Sequence, residues 1–483
     1  MYFDNEEVMP AMDAENKVTS IEDLINSVPD LVDYFYNDTV APHSRNRPGF
    51  SPVPAEYTNW RDEQRAWRET AVLFDQSHHM PELFLNGRDS VRLLNYLGIN
   101  TFSNFVPGRA KQYVGCNHSG QVIGESVLYY LAPDSFELIS GMHLLDWVEF
   151  NAVTGSYDVT IERDYQTSAN SKGRTKFRFG MDGPNAEKIF TEVVKGEVPD
   201  IPFFRTAPVR IAGCDVLALR HGMAGHKGVE LSGPYANGPT VRAAILKAGQ
   251  KYGLRPAGRL AYFSTPSEGG WLAYPLPAVY TDEKLREFRK WLPATSWAGQ
   301  AQLSGSYRSS NIEDYYFTPW DMGVDRIMKF DHDFIGRAAL EKMANQPHGS
   351  KVTLVWHKED VTRIQSSLFE SGLPYKYLEL PVASYGFPQC DVVRSTDGKL
   401  VGRSGFCGYS TNEAKMLSLA VLDNEHATPG TEVMLTWGEP DGGSRKPQVE
   451  RHRQTDVRAT VAPAPYAEAV RRMKRSGIGQ PVS

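Results

Sequence analysis

A change of rhythm near Lys351 constrains this chain more than any other feature. Before it, strand-like and helix-like stretches alternate. "PELFLNG" has the two-residue alternation of a strand, and "RDSVRLLNYLG" the apolar spacing of an amphipathic helix. "NWRDEQRAWRETAVLF" reads as a helix feeding a strand, "QYVGCNHSGQVIGESVLYYLAPDSFELIS" as strands with a turn at Ser119-Gly120, and "VRIAGCDVLALRHG" as a hairpin. After Lys351 come "KVTLVWH", "CDVVRSTDGKLVGRSGF", "MLSLAVL", "TEVMLTWG" and "VRATVAP", short strands at hairpin spacing. Helices interleaved with antiparallel hairpins, followed by strands alone, predict an α+β fold closed by a β-barrel or sandwich.

The ends differ in character. Residues 1–48 form an acidic N-terminal extension with one short helix around "SIEDLINSVPDLVDYFY", opened by a capping box from Ser20 to Asp23. Residues 49–350 form the mixed helix-and-strand body, 351–465 the barrel, and 466–483 a short basic tail expected to fray. The 483 residues suffice for two to four domains, and a net charge of −6 gives no global attraction to nucleic acid or an acidic membrane. The N-terminus lacks the basic-then-apolar order of a signal peptide, no apolar run is long enough to span a bilayer, and the 4 cysteines form no C-x-x-C pair. A cytoplasmic protein with reduced thiols is expected.

Two stretches hold candidate chemistry. In "AVLFDQSHHMPELFL", Asp75, Gln76, Ser77, His78 and His79 interrupt apolar residues. Adjacent histidines on a strand point to opposite faces, so they cannot share a metal there, and no metal is expected. Satisfied turn histidines are the bland reading. In "RHGMAGHKGVELSGP" the glycines match no phosphate-loop pattern, but Glu230 stands between Val229 and Leu231 and enters the interior, where a carboxylate needs donors. Adjacent N–H groups of a pterin or guanine edge fit it, and so does a salt bridge to Arg220 or His221. "GRLAYFSTPSEGGW" and "SGSYRSSNIEDYYFTPWDMG" read as loops rich in aromatic and hydroxyl groups, suited to a flat ligand or to ordinary packing.

Taken in order, these segments resemble the glycine-cleavage aminomethyltransferase superfamily. "AVLFDQSHHMPELFLNGRDSVRLL", "KQYVGCNHSGQVIGESV", "FGMDGPNAEKIF", "RHGMAGHKGVELSGP" and "GKLVGRSGFCGYS" follow its signatures across residues 57–465. Within it, "LRHGMAG", "SSNIEDYY", "KFDHDFIGR" and "WLPA" look like the tetrahydrofolate-dependent aryl O-demethylases that act on vanillate and syringate in lignin-degrading bacteria.

The resemblance implies ferredoxin-like halves in the catalytic body, a C-terminal β-barrel and folate in a central channel. It implies that Glu230 grips the pterin, with Gln112, Tyr113 and Trp271 beside the folate, and that Gln76 and His79 line the aryl-ether pocket. Tyr262 falls where these demethylases carry a tyrosine near the reacting group, which makes it the first choice as proton donor to the leaving oxygen, and His79 the second. Three departures stand out. The aminomethyltransferase turn "GgilDD" reads "GQVIGES" here, which puts Glu125 at the second Asp and argues against aminomethyl transfer. Phe50 aligns with a pocket tyrosine, and Gly141 with an arginine that could clamp a carboxylate; either another cation, Arg45 or Arg47, supplies that charge or the substrate is not vanillate. The expected activity is methyl transfer from a methoxylated aromatic to N5 of tetrahydrofolate. Alternatives are a sulfonium or amine demethylase on the same scaffold, or a non-catalytic folate-binding protein.

Overall fold

A computed structural model describes residues 18–39, 52–224, 227–272, 275–383 and 385–475. Phe50, Arg45 and Arg47 lie outside them, so those expectations meet no geometry. The first half forms β1 (Ala71–Asp75), β2 (Glu82–Asn86), β3 (Arg109–Cys116), β4 (Val122–Ala132), β5 (Ser135–Ile139), β6 (Thr160–Asp164), β7 (Lys176–Asp182), β8 (Thr206–Ile211), β9 (Cys214–Leu219), β10 (Val229–Pro234) and β11 (Leu254–Ala257). They make two sheets, one ordered β11-β1-β7-β10-β9-β8 and the other β3-β4-β5-β2-β6. Pairing is antiparallel except between β1 and β11.

The sheets meet through buried charge. Arg178 of β7 donates to Glu82 of β2 at 3.1 Å, to Glu137 of β5 at 2.9 Å and to the Tyr129 hydroxyl of β4 at 3.1 Å. A buried guanidinium needs paired acceptors, and these three groups fix how one sheet sits over the other.

β12 (Gly349–Trp356), β13 (Asp391–Ser395), β14 (Leu400–Ser410), β15 (Lys415–Asp423), β16 (Glu432–Trp437) and β17 (Thr455–Pro463) close into an antiparallel barrel ordered β12-β15-β14-β13-β16-β17. This is the α+β body with a C-terminal barrel that the rhythm of the sequence predicts. The "TDGK" turn joins β13 to β14, with Gly398 at φ 90°.

Three local readings are corrected. The N-terminal stretch holds two helices, Ile21–Ser27 and Leu31–Asn37. The Ser20–Asp23 capping box opens the first, and the chain leaves the helix over Val28-Pro29 before the Asp30 carboxylate caps the second through Val32 and Asp33 N–H. Their Ile21, Phe35 and Tyr36 lie in the main core beside Leu285 and Phe288. "GRLAYFSTPSEGGW" is a helix, Arg259–Gly269, rather than a loop. Pro266 cannot bond back to the Tyr262 carbonyl, and the Thr265 hydroxyl supplies that bond at 2.8 Å. Of the tail, Glu468–Arg475 is a helix, held by buried Ala467 and Val470, where fraying was expected; residues 476–483 lie outside the described residues.

Candidate active site

Helix Arg259–Gly269 is pinned to both its neighbours. Buried Glu268 accepts from Trp67 Nε1 (3.1 Å) and Arg68 (2.9 Å) of helix Trp60–Glu69, and from Ser410 (2.6 Å) and Asn412 (3.0 Å) of the barrel. Gln64 adds bonds to Ser264 at 2.8 Å and Thr411 N–H at 2.7 Å. The element carrying Tyr262 is therefore fixed from two sides.

Against it lies the turn after β1. Gln76 is fully buried, with Nε2 2.8 Å from Met223 Sδ and 3.4 Å from the Tyr262 hydroxyl. The rings of His79 and Tyr262 meet edge to face at 4.7 Å, and Phe74 and Phe263 pack on Tyr262 at 5.4 and 5.3 Å. Among the described residues, buried Gln76 Oε1 and His79 Nε2 have no hydrogen-bond partner. Such atoms cost free energy unless a ligand reaches them. Burial first, then the neighbouring His78 and Arg174 charges, push the His79 pKa down to about 3, so its imidazole is neutral at physiological pH. A small cleft beside them is walled by Val53, Asp75, His79, Ala257, Arg259, Tyr262 and Phe263. Ser77 and His78 face other duties: Ser77 Oγ donates to the Arg178 carbonyl at 3.2 Å, and His78 Nδ1 pairs with Thr167 at 3.0 Å.

Glu230 stands on the same sheet face. Register puts Phe74, Gly180 and Glu230 directly across from one another on β1, β7 and β10. Two interstrand spacings separate the outer pair, about 10 Å. Gly180 leaves the floor between them clear: a Cβ there would come within 3.2 Å of Gln76 Oε1. The Glu230 carboxylate accepts from His221 Nδ1 at 2.7 Å and from the Tyr129 hydroxyl at 3.4 Å. Of the salt bridges weighed from sequence, the one to His221 forms, whereas Arg220 pairs with Glu187 at 3.3 Å. Burial alone would raise the Glu230 pKa, but His221 and Arg178 hold it below the usual value.

Farther along the same face of β4, Glu125 is buried, and burial raises its pKa. It accepts from Gln112 Nε2 and Trp271 Nε1, which brings two of the residues implied beside folate onto one carboxylate. Tyr113 points the other way. Its ring fills the core, nests against Gly98 and spends its hydroxyl on the Leu94 carbonyl at 2.6 Å, so a folate contact through this side chain is corrected to a packing role. Gly141 is corrected likewise. It begins helix Met142–Thr154 at φ 68°, where a Cβ would lie 1.7 Å from the Glu125 carbonyl oxygen. No side chain fits, and an arginine clamp cannot be built there.

Sequence reasoning missed Met223, Arg259, Gly180 and Tyr129. Gly180 alone left a signal, as a glycine inside the strand pattern "KFRFGMD". Among the described residues no group of three or more His, Cys, Asp or Glu could hold a metal ion, and no helix is long and apolar enough to cross a membrane.

Residues 47–276 match the GCVT N-terminal domain model, and relatives at or above 30% identity span nearly the whole chain. The chain belongs to the GCVT, or glycine-cleavage aminomethyltransferase, family. Among its relatives is a syringate O-demethylase from Sphingobium sp., 48% identical over 453 residues that cover 94% of this chain and 97% of that protein. A sesamin methylene transferase from Sinomonas sp. is 30% identical, with 86% and 91% covered. The crystal structure of the glycine cleavage system aminomethyltransferase T from Bartonella henselae superposes with a TM-score of 0.60 at 16% identity, over 86% of this chain and 92% of that one, a likeness of fold.

Proposed function

We propose that this protein is a tetrahydrofolate-dependent O-demethylase that moves the methyl group of a methoxylated aromatic to N5 of the folate, leaving a phenol. The observation that carries the reading is the shared floor of the site. Gly180 separates an aromatic-walled pocket, with Tyr262, Gln76 and His79 at its wall, from the ionised carboxylate of Glu230 on the same face.

The residues fit a reduced pterin. A carboxylate offers about four acceptor positions. His221 and Tyr129 use two, which leaves capacity for a pair of adjacent N–H groups. When bound, tetrahydrofolate supplies the nucleophilic nitrogen that receives the methyl group. The protein's part is to hold two reactants in line, which converts an encounter into a step within one complex. The aromatic walls exclude water and so strengthen each polar contact.

The leaving aryl oxygen needs a proton. Tyr262 supports this role better than His79. The lowered His79 pKa leaves no imidazolium to give one up near neutral pH, whereas Tyr262 carries a phenolic hydroxyl, the same kind of group as the phenol being made. His79 then serves as a neutral wall residue. Arg259 lines the cleft and brings a cation to it, which Gly141 cannot do. The test is a panel of methoxyarenes, with dimethylsulfoniopropionate as the sulfonium control, run with and without tetrahydrofolate and read by mass spectrometry. Phenol and 5-methyltetrahydrofolate in equal amounts, only with folate present, support the reading; folate binding with no methyl product from any compound refutes it.

A further inference from the structure

The mechanism leaves Met223 unused, yet its sulfur touches Gln76 and Tyr262, two of the polar groups at the pocket wall. Met223 lies between β9 and β10, where the next residue's N–H, that of Ala224, donates to Asp182 of β7 at 2.5 Å. Its Sδ accepts from Gln76 Nε2 at 2.8 Å and from the Tyr262 hydroxyl at 3.4 Å.

A thioether has lone pairs and no proton, so the NH₂ end of the Gln76 amide must face it. That nitrogen carries two protons. One goes to Sδ, and the other is available to Tyr262 Oη, 3.4 Å away. The opposite orientation would turn the amide oxygen toward Tyr262 and take the N–H donor away from its oxygen. The orientation with NH₂ toward Sδ leaves Gln76 Oε1 without a partner among the described residues, open to a donor on a bound ligand.

We propose that Met223 is a positioning residue that fixes the Gln76 amide with its N–H toward Tyr262, readying that tyrosine to give up its proton. The inference rests on the reading of Tyr262 as donor. As the methyl C–O bond breaks, its electron pair stays with the aryl oxygen, which takes the Tyr262 proton. The oxyanion left on Tyr262 meets the Gln76 N–H. It is reprotonated by the proton displaced from the amine that receives the methyl, so the protein ends unchanged.

Met223→Leu keeps the volume and deletes the acceptor. In protein labelled at tyrosine ¹³Cζ, with the Tyr262 signal assigned by its loss in Tyr262→Phe, the ionisation of Tyr262 should move to higher pH in Met223→Leu by about one unit. Turnover should fall about tenfold with the aromatic KM nearly unchanged, the size of that same shift. Met223→Gln, which returns an acceptor oxygen, should recover most of the loss. Adding Met223→Leu to Gln76→Leu should cost nothing further. An unmoved Tyr262 titration in Met223→Leu, or losses that multiply in the double variant, would overturn the proposal. The titration needs no turnover, so a wild-type protein without demethylase activity would sink the functional reading and still leave Met223 judged by its effect on Tyr262.

Discussion

Removing one oxygen atom from Tyr262 separates chemistry from binding. In Tyr262→Phe the ring keeps its contacts with Phe74, His79 and Phe263. The hydroxyl's contacts with Met223 and Gln76 are long, 3.4 Å each, and Gln76 Nε2 retains the sulfur. Losing one buried hydrogen-bonding hydroxyl should cost about 0.5–1.5 kcal/mol of stability. The Glu230 network shares none of these bonds, so folate affinity should hold. The methyl-transfer step loses its proton donor. A positioned general acid contributes about 10²–10⁴-fold, which is ~3–5 kcal/mol of barrier. Single-turnover formation of 5-methyltetrahydrofolate, with both ligands saturating, isolates that step. A loss in this range with unchanged folate affinity is expected; a rate within a few-fold of wild type would refute the assignment of Tyr262 and the physical argument that excludes His79.

Glu230→Gln keeps the shape and removes the charge that His221 and Arg178 stabilise; folate affinity by calorimetry should drop about 10–100-fold, the worth of a charged hydrogen bond, while the fold persists. The pH dependence of stability should carry two opposite histidine contributions. His79, at about 3 when folded, takes up a proton more readily unfolded, so stability declines as pH falls from about 6.5 toward 3, and denaturant titrations of His79→Gln should show a shallower decline. Burial alone would lower the His221 pKa, but Glu230 raises it on balance; its contribution is complete below about 6.5 and lost as pH rises through the folded value, a slope that His221→Gln should remove. Gly141→Ala should destabilise by at least ~2 kcal/mol in chemical denaturation, from the left-handed backbone plus the 1.7 Å approach to the Glu125 carbonyl.

Much of this fold was legible because period and turn chemistry agree locally. β1 with the helix before it, the β8–β9 hairpin and the barrel strands all stand where alternation places them. The helix carrying Tyr262 was hidden because Pro266, three Ser or Thr residues and a glycine pair look like loop composition, and the Thr265 side-chain bond reconciles that proline with a helix. Pattern placed Glu230 indoors, but it could not choose between His221 and Arg220, since that depends on which side of β9 each one leaves. Tyr113 shows the limit of adjacency in a strand: Gln112 and Tyr113 are neighbours in sequence and face opposite sides of β3, one to Glu125 and the other to the core. Met223 and Arg259 enter the site through contacts between segments far apart in the chain, which no spacing encodes.

The central claim concerns which bond breaks and where the carbon goes. A methoxyarene accepted in the substrate panel, carrying a CD₃ group, should be incubated with the enzyme and tetrahydrofolate in H₂¹⁸O, and both products weighed by mass spectrometry. The account predicts intact CD₃ on the folate and only unlabelled oxygen in the phenol. Deuterium in methanol or formaldehyde, or ¹⁸O in the phenol, would contradict it.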